Sequence, residues 1–505
     1  MVKRITLRKK QKKNKKTRNK QSGYKQSGYK QSEYKQSGYK QSEYKKGGRA
    51  VDAGSYGCVF NPPIKCANSP YPYNSKNISK LMYKKDTQAE LEEIKKVKHF
   101  IKNIPDKENY FVISNTYACS PDKLQPEDLS GFDNECQLFT KHGINSQNVN
   151  TYLNKLQLIV MPNGGLNIDK FVQEILNFSE MDMYDMFAAA NSALIKLLVN
   201  GIVPLNEMKF NHYDIKAGNI LIGDDGHARL IDWGLASEND GVRIPYTIQD
   251  RPIAFNMPFS DIFFNAFAKT WLTDALNQIR SSPNFKNKTG QTELLKIVAV
   301  NMINKSIEES GEGHYDYITG DILHNIYRIY ALKNTYSRLD YNVLSYNVLV
   351  DYVHAVLVKF VDENGVFNDT EYFYKVFNKN ADIWGFLLAY EPIIDYGVDK
   401  FHPDIINAIC RILLKYCFST EFAIEPINVS EVAAELESIN LIINGLKKMT
   451  NIPMTKAASL PNVTNGPKAA SLPIKAASMP NVTNRPKISS MPKISSMEDI
   501  EDISD

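Results

Sequence analysis

His212-Tyr213-Asp214-Ile215-Lys216-Ala217-Gly218-Asn219-Ile220-Leu221, followed by Ile231-Asp232-Trp233-Gly234-Leu235-Ala236, is the stretch on which the reading of this chain turns. Between the two runs the pattern predicts a hairpin: Ile220–Ile222, the turn Gly223-Asp224-Asp225-Gly226, and Ala228–Ile231. Such a hairpin returns Asp232 to the side of Asp214 and Asn219. Two carboxylates and an amide on adjoining loops suit phosphoryl transfer. Asp214 orients the attacking hydroxyl or accepts its proton, and Asn219 and Asp232 supply the oxygen ligands that Mg²⁺ prefers. Lys216, two residues past Asp214, is placed to offset charge on a transferred phosphate.

These two runs resemble the catalytic loop H-R-D-x-K-x-x-N and the D-F-G motif of protein kinases. Upstream, Asp52-Ala53-Gly54-Ser55-Tyr56-Gly57-Cys58-Val59 resembles the glycine-rich loop, with Asp52 where the first glycine stands. Glycines there let backbone approach phosphate closely. Asn77-Ile78-Ser79-Lys80 resembles the V-A-I-K strand. The resemblance implies that Lys80 meets the α- and β-phosphates and pairs with a glutamate on the next helix. Glu93 is the preferred partner and Glu90 the other candidate. Leu158-Ile159-Val160-Met161-Pro162-Asn163-Gly164-Gly165 resembles the hinge strand, with Met161 near the gatekeeper position. Ala381-Asp382-Ile383-Trp384-Gly385-Phe386 resembles the D-x-W helix that buttresses the catalytic loop.

Departures from the family pattern are equally specific. Tyr213 replaces the Arg that helps read an activation-loop phosphate, which argues against that mode of switching. The A-P-E motif is missing, and Met257-Pro258-Phe259 stands nearest to it. Between Phe259 and Asp382 the chain carries a long insertion, about residues 260–380, where the family has a short segment. Its apolar pattern predicts helices at Phe263–Ile279, Leu294–Ile307, Ile318–Leu332 and Val348–Val361.

As a whole, the chain resembles eukaryotic-type serine/threonine protein kinases, most closely a divergent group found in giant DNA viruses. The phrases S-Y-G-C-V-F, N-G-I-x-P-L, I-D-W-G-L-A and R-P-I-A-F-N-M-P-F carry the narrower resemblance. It covers about residues 50–440. It implies an α+β, bilobal kinase-like fold: a β-rich N-lobe (50–165), a helical C-lobe (166–455) and, as cofactors, ATP with Mg²⁺. ATP would be held by residues 52–57 and Val59, Lys80, Glu93 and Met161, the metal by Asn219 and Asp232, with Asp214 and Lys216 catalytic. The implied partners are proteins bearing Ser or Thr. The alternatives are a small-molecule kinase of the aminoglycoside or choline type, which shares H-x-D-x-x-x-x-N and I-D-W, and a pseudokinase scaffold.

Outside the body the composition changes. The chain has 505 residues and net charge +5; 43% are hydrophobic and 23% charged, which excludes a wholly disordered or collagen-like chain. The +5 is a sum of opposites: residues 1–49 hold 18 Lys/Arg against two Glu, and the remainder 43 against 54 acids. Five K-Q-S-[GE]-Y pentads place Tyr24, Tyr29, Tyr34, Tyr39 and Tyr44 in register. With little apolar area to bury, this arm is expected to be disordered. Lys interleaved with Tyr suits weak binding of single-stranded nucleic acid or of an acidic partner. Residues 456–505 form a second low-complexity segment of K-A-A-S and K-I-S-S units. These put Lys three residues before Ser459, Ser471, Ser478, Ser490 and Ser496, which makes the tail a candidate substrate of the chain itself.

No run of eighteen apolar residues predicts a membrane span, and the charged start predicts no secretory signal. Six cysteines without a C-x-x-C pair read as reduced thiols. An intracellular location is expected: host cytoplasm if the chain is viral, with the virion as the other site.

Overall fold

The computed structural model describes residues 48–54, 57–113, 115–249, 251–334 and 341–450. The main folded unit ends at Met449. The basic arm up to residue 47, Ser55 and Tyr56 of the expected phosphate loop, and the tail from 451 lie outside the described residues, as do the side chains of Asp52, Ala53 and Gly54.

Five strands open the fold: β1 (Arg49–Gly54), β2 (Gly57–Asn61), β3 (Asn77–Tyr83), β4 (Tyr117–Cys119) and β5 (Leu156–Pro162). They make one antiparallel sheet in the order β1-β2-β3-β5-β4. The register fixes what each face carries. Cys58 pairs with Leu81, which pairs with Leu158, so these line one face and bury there with Phe60, Phe132 and Phe139. One residue along, Val59, Lys80 and Ile159 align on the opposite face, because strand side chains alternate. Met82 and Met161 share that second face by the same parity.

Helix Lys84–Ile101 follows β3 directly. Its Ile94, Val97 and Ile101, at helical spacing, enter the larger core. The sequence pattern reads Tyr110–Tyr117 as a strand, but the described residues form none before Tyr117. Phe111, Val112 and Ile113 are buried and Leu230 N donates to Tyr110 O at 2.9 Å, but the chain then turns at Asn115 (φ +55°). A left-handed residue ends extended pairing, leaving only the short β4.

After β5 the chain is mostly helical. The predicted hairpin is present as Ile220–Ile222 and Ala228–Leu230, joined at its edge by Leu166–Asn167. Helix Ile168–Ile175 is capped by Asn167, and helix Glu180–Leu197 by Ser179. The second helix continues through Glu207, and that span and helix Tyr341–Phe360 are apolar and long enough to cross a membrane. Both instead bury much of their length: Phe187, Leu194 and Leu198 in the first, Tyr352, Val353, Val356 and Leu357 in the second.

The insertion is helical where expected, with shifted bounds: Ala266–Arg280, Lys288–Ser310, Leu323–Asn334 and Tyr341–Phe360, the second and fourth longer than the pattern predicts. It is part of the main core rather than an appendage. Tyr352 lies 5.5 Å from Phe259 and 5.6 Å from Trp384 in edge-on contacts, knitting the insertion to helix Asn378–Leu388.

The cysteine expectation is corrected. Cys58 is bonded to Cys136 and Cys66 to Cys119; Cys410 and Cys417 are buried free thiols. The pairs are 78 and 53 residues apart, so spacing alone does not reveal them. The sheet brings β2 beside helix Phe132–Glu135 and the segment after β2 beside β4. Disulfides persist in oxidising surroundings, so cysteine usage no longer argues for a reducing compartment.

Candidate active site

The loop bearing Asp214 is fixed from below. Asp382, buried in helix Asn378–Leu388, accepts the backbone N–H groups of His212 at 2.9 Å and Tyr213 at 2.8 Å, and the Asn211 amide at 3.3 Å. Burial pushes its carboxyl above the ordinary range, while His212 and these donors pull it down. Tyr213 is wholly buried at φ +57°, and its hydroxyl donates to Asn378 Oδ1. A bulky residue held left-handed stores strain that surrounding contacts must offset. Gly385 lets the helix come close: a Cβ there would meet Ile215 O at 2.4 Å.

Above this support, Asp214 receives donors from three residues. Lys216 Nζ lies 2.9 Å from Oδ2, Asn219 Nδ2 donates to Oδ2 at 3.0 Å and to the Asp214 carbonyl at 2.8 Å, and Asn256 Nδ2 donates to Oδ1 at 2.9 Å. Asn219 thus commits its nitrogen inward and keeps its carbonyl oxygen for a ligand. The loop of Asp232 is tied to the same place. Ile231 N donates to Asn219 O at 3.0 Å, and His212 Nε2 donates to Ile231 O at 3.0 Å. With Asp214 N donating to His212 Nδ1 at 3.3 Å, the ring is the Nε2–H tautomer. Trp233 packs on His212 at 4.8 Å, and Asp232 itself takes φ +64°.

Facing this is a cleft of about 240 Å³ lined by Lys80, Met82, Glu90, Glu93, Met161 and Asp232 among others. The expected partner of Lys80 is corrected here: Lys80 Nζ pairs with Glu90 Oε2 at 2.6 Å, not with Glu93. The two glutamates sit three residues apart on one helix, and the sequence does not say which of them turns toward β3. Glu93 instead lies half-buried near Asp232. Burial first, then the charges of Glu90 and Asp232, push its carboxyl above the ordinary range. Of the expected phosphate loop, the strands on either side meet at the pair Gly54–Gly57. Gly57 has a packing reason to be glycine, since a Cβ would meet Leu81 O at 2.6 Å. Val59 shares the sheet face of Lys80.

The sequence matches no family model.

Two clusters emerge, joined by the Asn219–Ile231 hydrogen bond: Asp214 with Lys216 and Asn219, and Asp232 with Lys80, Glu90, Glu93 and Met161. Among the described residues no group of three His, Cys, Asp or Glu side chains forms a metal cage. A larger cavity, about 600 Å³ around Phe360, Val366 and Glu425, contains none of the predicted site residues. Two residues escaped the sequence reading. Asn256 and Arg251, whose Nη1 donates to Tyr213 O at 2.9 Å, both lie in the phrase R-P-I-A-F-N-M-P-F. Polar side chains inside that apolar run were the available signal.

Proposed function

We propose that the chain is an ATP-dependent serine/threonine protein kinase with a bilobal kinase-like fold. The observation that carries this reading is the Asp214 carboxylate, held at once by Lys216, Asn219 and Asn256, with Asn219 bonded to the backbone preceding Asp232. Positioning and charge do most of the work in phosphoryl transfer, and this arrangement supplies both. Mg·ATP, when bound, brings the phosphoryl group and the divalent charge. Asp232 and the Asn219 carbonyl oxygen would hold the metal, and Lys80, kept in place by Glu90, would meet the phosphates. Asp214 orients the acceptor hydroxyl and takes its proton. Lys216 neutralises charge that builds on the transferred group. The acceptors are proteins, with the Lys-x-x-Ser tail among them.

The test is radiolabelled ATP offered with mixed protein substrates and, separately, with small alcohols, to the wild type and to Asp214→Ala. Label on protein Ser/Thr that disappears in the variant supports the proposal. Label on small alcohols alone points to a small-molecule kinase, and equal label in both proteins removes Asp214 from the chemistry.

A further inference from the structure

The insertion comes up to the Asp214 loop through one short connection. Helix Lys288–Ser310 ends at Gly311, and helical turns resume at Tyr317–Ile322. Between them, Gly313 presses against the segment that carries Asn256. A Cβ at Gly313 would meet Ile253 O at 2.5 Å, and its φ of +54° is one that L side chains rarely adopt. The next residue, His314, donates its backbone N–H to Ile253 O at 2.8 Å. Phe255 then receives two rings of the insertion edge-on, His314 at 5.2 Å and Tyr317 at 5.3 Å. Trp384 Nε1 fixes Phe255 by donating to its carbonyl at 3.0 Å, and the neighbouring Asn256 holds Asp214 Oδ1. His314 is thus built onto the same short segment that orients the Asp214 carboxylate.

The two rings differ in what they leave open. Tyr317 commits its hydroxyl to Glu391. His314 is exposed, and its ring nitrogens have no hydrogen-bond partner among the described residues. Partial burial first, then the charge of Lys216, hold its imidazole below the ordinary range, against the pull of Asp214. A neutral imidazole offers one N–H donor and one nitrogen acceptor, a pair that an extended peptide backbone can satisfy. Position indicates which substrate meets it. The charges of Asp214 and Lys216 both reach the ring, yet neither His314 nor Phe255 lines the cleft of Lys80 and Met161. His314 therefore stands beside the reacting groups but outside the cleft proposed for ATP, on the side from which an acceptor must approach. Resting on the functional reading above, we infer that His314, delivered by the insertion, is a specificity-determining residue that hydrogen-bonds the main chain of the protein acceptor beside its reacting Ser or Thr. The insertion thereby favours peptide over small-alcohol acceptors.

The experiment uses the full chain and two acceptors, a synthetic peptide with the sequence of residues 456–471 and dephosphorylated casein. Steady-state kinetics compare wild type with His314→Ala, His314→Gln and Gly313→Val. Losing one neutral hydrogen bond made equally in ground and transition states raises KM and spares kcat. His314→Ala should therefore raise KM for the acceptor about three- to tenfold, with kcat and KM for ATP within about twofold. His314→Gln, which keeps a donor and an acceptor, should recover most of that loss. Gly313→Val, which must lift the loop off Ile253, should raise the acceptor KM at least as far as His314→Ala. A photo-crosslinking residue at position 314 should capture the acceptor, whereas one replacing the exposed Val358 of the same insertion should not. An unchanged acceptor KM in His314→Ala, a rise confined to KM for ATP, or no crosslink from position 314 overturns the inference. The crosslink decides even if one of the variants does not fold. A wild type that labels neither acceptor overturns the functional reading and this inference together. A wild type that labels them just as His314→Ala does overturns the inference alone.

Discussion

Asn256 Nδ2 lies 2.9 Å from Asp214 Oδ1, so a residue 42 positions downstream sets the rotation of the carboxylate on which the proposed chemistry depends. Lys216 and Asn219 both approach Oδ2 closely, and Asn256 makes the shorter contact to the other oxygen. Lys216 reaches Oδ1 at a looser 3.2 Å.

Removing that constraint should cost rate and little else. Asn256→Ala is expected to lower kcat about 10- to 100-fold with KM for ATP nearly unchanged, because a misoriented base loses transition-state stabilisation. Steady-state kinetics on a protein substrate checks this. A rise in KM for ATP with kcat intact would place Asn256 in nucleotide binding instead.

Glu90 and Glu93 separate into two roles. Glu90→Ala strips Lys80 of its partner and should lower kcat/KM for ATP about tenfold or more, as truncating a partly buried charge pair does. Glu93→Gln acts on stability. A carboxyl raised in the folded state favours its protonated form, so its stabilising share is present at low pH and lost as pH climbs through the raised value. Ionised Glu93 then opposes folding at neutral pH and above, beside Glu90 and Asp232. Glu93→Gln should therefore melt higher than wild type near pH 8, and the gap should close toward about pH 4. A gap that widens on acidification contradicts the assigned sign.

Much of this was legible in the sequence, and what was not has identifiable causes. The hairpin between Asn219 and Asp232 was readable because G-D-D-G allows a tight turn and both arms are apolar. Lys80 and Met161 were readable as members of two strands, but their common face follows only from the register of β3 on β5. Asp382 was readable from its place beside Trp384, although its three donors were not. The Lys80 partner was missed because Glu90 and Glu93 both lie on the helix face near β3, and about 60° of helix rotation between them decides the outcome. The strand expected at 110–117 failed because propensity says nothing about a left-handed Asn115. Asn256 and the cysteine pairs were hidden for one reason: each contact joins residues that only the finished fold brings together.

Asp382 offers a test of the support beneath the loop. It serves two buried backbone N–H groups and an amide, so Asp382→Ala strands all three. At about 1–3 kcal/mol for each stranded backbone donor, the two N–H groups alone should cost about 2–6 kcal/mol. Asp382→Asn keeps one acceptor oxygen and should cost less, yet it must turn an NH₂ toward a backbone N–H and should still reduce activity. Urea melts of both variants measure the difference. Equal stability in Asp382→Ala and wild type would mean that the loop holds its strained Tyr213 without this helix.

The disulfides give the last prediction, and it concerns order as well as size. Cys58 and Cys136 are buried at 0% and 1% exposure, between β2 and helix Phe132–Glu135, whereas Cys66 and Cys119 are only partly buried. Thiol attack requires access, so graded reductant should open Cys66–Cys119 first. Cys58–Cys136 should yield only when the sheet itself opens. Each closes a long loop of the unfolded chain, and losing either should cost about 2–4 kcal/mol. Because Cys58 directly follows Gly57, loss of the buried bond should also weaken ATP binding, while loss of Cys66–Cys119 alone should leave it unchanged. Alkylation and peptide mapping at increasing dithiothreitol, read beside thermal melts and ATP affinity, follow the two bonds separately. Simultaneous reduction of both, or early loss of Cys58–Cys136 with ATP affinity intact, would contradict this assignment of roles.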